Sequence, residues 1–257
     1  MTVMAHALGL GAALSGHGGG EPFLTVAGYA SLVDERSARE TVPTLRRFRR
    51  GTVRDHCRIF NLVSIINLSR GLASGRRLAT ATARPQRGSD LLVALFDLPL
   101  SELPALLARE RRLRVCCVPY EEAGGAHGHA ALFGEYTHAE YLSERCGGDL
   151  HAYHNEVGRW YPDGEIYRPD LLPVPSYVLR CVRAHRVAGP AALANLLDES
   201  FLGDGETSLR TQLRRELQPQ CAPEKQGAGD PPLGGDDSPW TEAERQELRS
   251  ALGLDTT

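Results

Sequence analysis

The sequence has no long apolar run and no strong excess of charge. None of its apolar stretches approaches the roughly 18 residues that a membrane-spanning helix needs. The formal net charge of the 257 residues is −3, so the chain as a whole is not built to bind nucleic acid or an anionic membrane surface. We therefore expect a globular protein whose partners include neither nucleic acid nor membrane.

The sequence also lacks a Cys-x-x-Cys pair and a recognisable targeting segment. Several cysteines lie in apolar runs, where a free thiol behaves as a small hydrophobic residue; the six are Cys57, Cys116, Cys117, Cys146, Cys181 and Cys221. No basic region precedes the short apolar stretch at residues 7–14, which argues against a secretory signal. We predict a reduced, cytoplasmic protein.

Composition divides the chain into four parts. Residues 1–21 are rich in Ala, Gly and His and are predicted to be a disordered lead-in. Residues 22–217 carry the predicted strands and helices, and residues 218–237, rich in Gly, Pro and charge, are a predicted linker. In residues 238–257, the capping-box pattern Thr241-x-x-Glu244 predicts a short helix ending near Gly253. The sequence leaves open whether this helix docks.

Strand-like runs dominate the first half of the chain and helical spacing the second. The predicted strands are residues 23–32, 52–64, 78–83, 91–96, 115–118 and 130–136. A short helix is predicted at residues 101–109, with Ser101 as its N-cap, and later helices begin at Pro175, Ala191 and Leu209. This order favours an α+β fold, or a barrel with helices, over regular βαβ alternation.

Two short pieces of sequence carry most of the functional information. Residues 26–32, Val-Ala-Gly-Tyr-Ala-Ser-Leu, predict a strand that runs into a turn of small residues, where backbone N–H groups can bind an anion. Glu110 is an isolated carboxylate between a short apolar helix and a strand. Together they suggest acid/base chemistry on a small polar substrate.

These pieces resemble two motifs of the γ-glutamylcyclotransferase-like family. The residues Gly28-Tyr29-Ala30-Ser31-Leu32 resemble its Tyr-Gly-Ser-Leu loop. The pair Arg109-Glu110, between a helix and a strand, is similar to its Arg-Glu or Gln-Glu motif, and the segment 58–60 between the motifs also fits. The resemblance covers about residues 23–120 and continues more weakly, as in the plant and algal branch, to about residue 217.

The resemblance implies a mixed β-barrel flanked by helices, with a helical C-terminal part. It implies cleavage of a γ-glutamyl amide by the substrate's own α-amine, which releases 5-oxoproline and an amine or amino acid. Glu110 would be the general base and then the general acid. The backbone of Tyr29, Ala30, Ser31 and Leu32 would hold the substrate carboxylate or the developing oxyanion. The family uses no metal or organic cofactor.

Two departures from the family pattern bear on activity. Ala30 replaces the loop glycine, which costs about 1 kcal/mol if the position needs φ > 0 and nothing if φ is negative. Arg111 follows Glu110 where the family usually has Gly, and a nearby cation lowers the pKa of a carboxyl whereas burial raises it. The alternative function is therefore a catalytically silent binding or scaffold protein on the same fold. The particular γ-glutamyl compound and the oligomeric state stay open.

Other residues offer weaker alternatives. Glu121 and Glu122 are rival carboxylates before the turn at Gly124, expected to be exposed. A histidine-rich segment, residues 127–154, matches no zinc module and is predicted to be a surface loop, with metal binding as a minor alternative. Six arginines in residues 46–58 predict a solvated basic face, with phosphate or an acidic partner as the alternative. The aromatic residues Trp160, Tyr161 and Tyr167 either cover a pocket or belong to the core.

Overall fold

The computed structural model describes residues 1–15, 21–162, 164–218 and 238–254. The strands are β1 Leu14–Ser15, β2 Phe23–Gly28, β3 Arg46–Val63, β4 Arg77–Pro99, β5 Arg114–Glu122, β6 His127–Gly134, β7 Leu172–Pro173 and β8 Ser200–Leu202. The helices are α1 Thr2–Ala7, α2 Glu35–Thr41, α3 Ile65–Ser69, α4 Leu103–Arg109, α5 His138–Cys146, α6 Leu150–Tyr153, α7 Pro175–Ala188, α8 Pro190–Asp198, α9 Leu209–Leu217 and α10 Glu242–Leu252. Within these ranges, no helix is both long enough and apolar enough to cross a membrane.

Five of the strands close into a mixed barrel. β2 pairs with β4, β4 with β3, β3 with β5 and β5 with β6, all antiparallel. β6 then returns to β2 in parallel through Val26 opposite Ala131, which closes the ring. Helices flank the barrel, and most of them follow β6 in the chain. The predicted α+β fold with a mixed barrel is confirmed.

The two longest strands differ from their prediction. β4 runs without interruption from Arg77 to Pro99, where two separate strands were predicted on either side of Pro85. Pro85 lies opposite His56, next to a break in register, and a proline is tolerated in a sheet at such a bulge. β3 likewise begins at Arg46, six residues before the predicted start. Bulges allow both strands to bend around the barrel.

The core fills the barrel and the layer beneath the helices. Along β4, Leu91, Val93 and Leu95 are fully buried, and so are Ala94 and Phe96 between and beyond them. Both faces of this strand are therefore covered, as its continuous apolar run predicts.

The N-terminal residues correct a prediction. Residues 1–15 are not a disordered lead-in: they form α1, a 3-10 turn and β1, which pairs with β2. Ala5, Leu10 and Ala13 are almost completely buried. The composition was misleading because small residues pack closely against a sheet without a large hydrophobic side chain. Residues 16–20, the most Gly-rich part, lie outside the described residues.

The C-terminal helix α10 docks on the barrel's helical layer. Thr241 and Glu244 form the predicted capping box, and Gly253 ends the helix in the left-handed conformation. Leu248 is fully buried, and Trp240 donates from Nε1 to Glu216 of α9 at 2.8 Å. The predicted linker lies outside the described residues except for Gln218, and so does Cys221.

Two further local predictions were wrong. Ser101 is not the N-cap of α4: it lies in a 3-10 turn, Leu100–Glu102, and its hydroxyl donates to Glu21 at 2.7 Å. The histidine-rich segment is not a surface loop but forms β6, α5 and α6. Capping by Thr137 and Asp149 starts these two helices and outweighs the loop-like composition.

Candidate active site

A cavity of about 220 Å³ opens beside the end of β2. The turn after β2 lines one side, and the other lining residues come from the end of α4, α3, α7 and the barrel strands β3, β4 and β6. All five residues of the predicted site line this cavity: Tyr29, Ala30, Ser31, Leu32 and Glu110. The fold thus brings together two pieces of chain about eighty residues apart in sequence. Their chemical roles stay predictions.

The turn is held tightly against the barrel. Gly28 makes this possible, because a Cβ at this position would lie 2.6 Å from the Cβ of Leu32. Tyr29 is buried, and its hydroxyl donates to the carbonyl of Phe133 at 2.5 Å. Burial raises the pKa of Tyr29 well above its ordinary value of 10.0, and the neighbouring Glu110 raises it further, so this hydroxyl stays protonated. Tyr29 therefore anchors the turn through its side chain.

The backbone of the turn that lines the cavity has N–H groups without acceptors. Ala30 has φ −117°, so the position does not need a left-handed residue. Ser31 starts a short 3-10 turn, Ser31–Val33. Within the described part of the chain, the N–H groups of Ala30, Ser31 and Leu32 donate to no acceptor, and the Ser31 hydroxyl makes no hydrogen bond. These donors are available to a ligand.

Glu110 is the only carboxylate among the residues that line this cavity. It follows the last residue of α4, and its N–H donates to the carbonyl of Leu106 at 2.9 Å. Its side chain is 17% exposed, and Arg109 Nε lies 3.1 Å from one carboxylate oxygen. Burial raises the pKa of Glu110, and Arg109 only partly opposes that rise. A carboxylate with a raised pKa is a stronger base than one in water.

The structure corrects the expectation about Arg111. Its guanidinium points to Glu156, with 2.6 Å between Arg111 NH2 and a carboxylate oxygen, and Arg111 does not line the cavity. The cation that affects Glu110 is Arg109, the residue before it. Arg109 and Arg111 are both adjacent to Glu110 in sequence, but only Arg109 pairs with it, so adjacency alone does not identify the contacting cation.

The rival carboxylates have other partners. Glu121 pairs with Arg54 at 2.8 Å, and Glu122 pairs with Arg49 at 2.6 Å. Both are half-buried on β5 rather than exposed, and neither lines the cavity. They stabilise the pairing of β3 with β5, where Thr52 lies opposite Glu121. Arg49 and Arg54 are therefore ion-paired strand residues rather than an unpaired basic face.

The sequence did not predict that arginines surround the cavity. Arg70 and Arg180 are exposed at its edge, and within the described ranges neither side chain makes an ion pair or hydrogen bond. Arg112 is half-buried, and its Nε has no hydrogen-bond partner in the described part of the chain. With Arg109, four arginines accompany the single carboxylate. No sequence signal predicts this set, because its members come from α3, α4 and α7 and the turns beside them.

The remaining candidates lie elsewhere. Tyr161 and Tyr167 are buried core residues, and Trp160 is partly exposed; none of the three lines the cavity. Among the described residues, no group of three or more His, Cys, Asp or Glu side chains is arranged to hold a metal ion. His127, His129, His151 and His154 are exposed.

Similarity to known proteins is confined to the fold. No family model matches the sequence. No curated protein matches it either. An uncharacterised protein from Homo sapiens is similar in structure at a TM-score of 0.38 and 14% identity, covering 54% of this chain and 88% of that one. A γ-glutamyl cyclotransferase is similar at 0.38 and 14%, covering 56% and 93%. YkqA from Bacillus subtilis is similar at 0.40 and 13%, covering 64% and 49%.

The second of these bears the name of the family that the two sequence motifs resemble. At these TM-scores and identities, however, the similarity assigns neither a substrate nor a residue role to this chain.

Proposed function

We propose that this protein is a cyclotransferase that cleaves γ-glutamyl amides and releases 5-oxoproline. One observation carries the proposal: a buried carboxylate of raised pKa, Glu110, shares a small cavity with the free backbone donors of residues 30–32. The carboxylate supplies a base, and the donors supply a site for negative charge.

The proposed reaction needs no enzyme nucleophile. The substrate's α-amine attacks its own γ-carbonyl carbon, and Glu110 accepts the proton that the amine loses. The bond from this carbonyl carbon to the leaving nitrogen then breaks, and Glu110 returns the proton to that nitrogen. The products are the lactam 5-oxoproline and a free amine or amino acid. No water is consumed, and no cofactor enters the balance.

The cavity contributes mainly by position and charge. A substrate held in a folded, ring-closing conformation gains several kcal/mol from intramolecular geometry. The N–H groups of Ala30, Ser31 and Leu32 would bind either the α-carboxylate or the oxyanion that develops on the γ-carbonyl oxygen. An arrangement of this kind is worth about 10²–10³-fold in rate for each oxyanion donor.

The charge of the cavity favours one group of γ-glutamyl compounds. Arg70 and Arg180 stand at its edge without partners among the described residues, so a second carboxylate on the leaving side has two cations available. γ-Glutamyl amino acids and glutathione carry such a carboxylate, whereas γ-glutamyl amines do not. We therefore propose the acidic compounds as the better substrates.

The test is the release of 5-oxoproline from glutathione, a γ-glutamyl amino acid and a γ-glutamyl amine. We expect release from at least one of the two acidic compounds, with a lower kcat/KM for the amine. Glu121→Gln is the matched control for Glu110→Gln and should keep this release, because the Glu121 carboxylate is paired with Arg54 outside the cavity. Binding of these compounds without any turnover would instead support the silent binding protein. Neither binding nor turnover would refute both functions.

A further inference from the structure

Arg58 is a fully buried arginine behind the turn that lines the cavity. It is 0% exposed, although it belongs to the arginine-rich stretch predicted to be a solvated face. Its guanidinium donates to the carbonyl of Tyr29, to the carbonyl of Leu92 at 2.7 Å and to the side-chain oxygen of Asn195 at 2.8 Å. No carboxylate in the described part of the chain pairs with it.

Burying Arg58 in this way lowers the stability of the folded state. A buried guanidinium without a counter-ion keeps most of its desolvation cost. Burial lowers the pKa of Arg58 to about 10, so it stays charged at neutral pH. The groups that face it are Cys57, Cys181, Tyr29 and Tyr177, whose pKa values burial raises, and His185, whose pKa burial lowers well below 6.5. All of them are neutral near pH 7, so the charge of Arg58 is uncompensated.

The geometry of a peptide unit connects Arg58 to the cavity. In a trans peptide the carbonyl of one residue and the N–H of the next point in opposite directions. The peptide bonds of the described residues are all trans, so this holds for the unit between Tyr29 and Ala30. Arg58 binds the Tyr29 oxygen on the side of β3 and α8. The Ala30 N–H therefore points away from the Arg58 guanidinium, and Ala30 lines the cavity.

We propose that Arg58 is a positioning residue that fixes the 29–30 peptide with the Ala30 N–H facing the cavity. Its uncompensated charge, directly behind this peptide, also strengthens that N–H as a donor to a bound anion. The inference rests on the proposed function, because it gives the turn's donors an anion to bind. Arg58 itself touches no substrate.

The experiment uses Arg58→Lys, which keeps the charge but not the fork of donors, and Arg58→Met, which removes both. Arg84→Lys is the control: Arg84 makes a bidentate pair with Glu135 in the same sheet, away from the cavity. The first readout is the Ala30 backbone amide resonance during titration with 5-oxoproline, a non-reacting carboxylate. The second is the division of any activity change between kcat and KM.

In the wild type and in Arg84→Lys, we expect 5-oxoproline to shift the Ala30 amide. Both Arg58 variants should lose that shift while the resonances of distant strands stay in place. The kcat should fall about 10²-fold if the N–H binds the oxyanion, the usual loss for one such donor. A rise in KM alone would assign the same N–H to the substrate carboxylate. Either result supports the positioning role.

Three results would overturn the inference. The first is a wild-type Ala30 amide that does not respond to 5-oxoproline. The second is a normal response in Arg58→Lys and Arg58→Met. If neither variant folds, the wild type is tested instead. A scalar coupling between Arg58 Nε and the Tyr29 carbonyl carbon reports the hydrogen bond between them. The third result is the absence of this coupling. A wild type that binds 5-oxoproline but turns over no γ-glutamyl compound refutes the proposed function alone.

Discussion

The substitution Glu110→Gln should abolish most activity and yet stabilise the folded protein at neutral pH. Glutamine keeps the size and shape of the side chain but cannot accept a proton. General acid–base catalysis contributes about 10²–10⁴-fold, so kcat should fall by that factor, or about 3–5 kcal/mol of transition-state stabilisation. The backbone donors of residues 30–32 and the ring-closing conformation of the substrate are unchanged, which leaves some residual turnover.

The gain in stability follows from the burial of Glu110. Its pKa in the folded protein is raised above the ordinary value of 4.5, so between these two values the folded state binds more protons than the unfolded state. The wild type therefore loses stability as the pH rises through this window. Arg109 is 35% exposed, and such a pair is worth only about 0–1 kcal/mol, too little to reverse the cost of burial. Glu110→Gln avoids this loss.

Urea denaturation at pH 4 and pH 8 tests the sign. Glu110→Gln should be more stable than the wild type at pH 8, and the difference should shrink toward pH 4. Glu121→Gln should behave in the opposite way, because the hydrogen bond from Arg54 lowers the pKa of Glu121 and its carboxylate stabilises the fold above that pKa. If Glu110→Gln releases 5-oxoproline at the wild-type rate, the catalytic role of Glu110 is refuted. If Glu110→Gln is less stable than the wild type at pH 8, the electrostatic reasoning is refuted.

Three other changes test separate parts of the structure. Gly28→Ala places a Cβ 2.6 Å from that of Leu32, and we expect a loss of about 1–3 kcal/mol in unfolding free energy, by urea denaturation, and a higher KM. Arg180→Ala should raise KM for an acidic γ-glutamyl compound while leaving KM for a γ-glutamyl amine unchanged; an equal rise for both would contradict the assignment of charge. Leu248→Ala should cost about 2–5 kcal/mol by the same denaturation assay without changing kcat below the unfolding transition, because Leu248 is fully buried and does not line the cavity.

The parts of the fold that local sequence predicts are the elements with strong periodicity. The apolar run at residues 91–96 and the capping box at Thr241 act over a few residues, so their structures follow from the sequence nearby. Closure of the barrel depends on Val26 meeting Ala131, more than a hundred residues later. No local propensity encodes that pairing, and the barrel was expected only from the resemblance.

The arginines show why the rest of the site was missed. Sequence patterns treat arginine as a surface residue, because a charge is costly to bury unless its donors are satisfied. Arg58 donates to oxygens of Tyr29, Leu92 and Asn195, which come from distant parts of the chain. Arg112 enters the cavity lining from beyond α4. Each of these environments exists only once the barrel has closed. The motif at residues 28–32 was recognisable because its glycine and small residues are a local requirement.

Two charges that are costly to bury, Glu110 and Arg58, both lie near Tyr29 of the same turn. Glu110 faces the cavity, and Arg58 lies behind the 29–30 peptide. A fold selected for stability alone would replace either with a neutral side chain, since neither has a full counter-charge to offset its burial. In the proposed reaction the amine becomes positive as it attacks and the carbonyl oxygen becomes negative. The negative group thus faces the atom that gains positive charge, and the positive group supports the donors to the atom that gains negative charge, which is the arrangement that lowers the barrier.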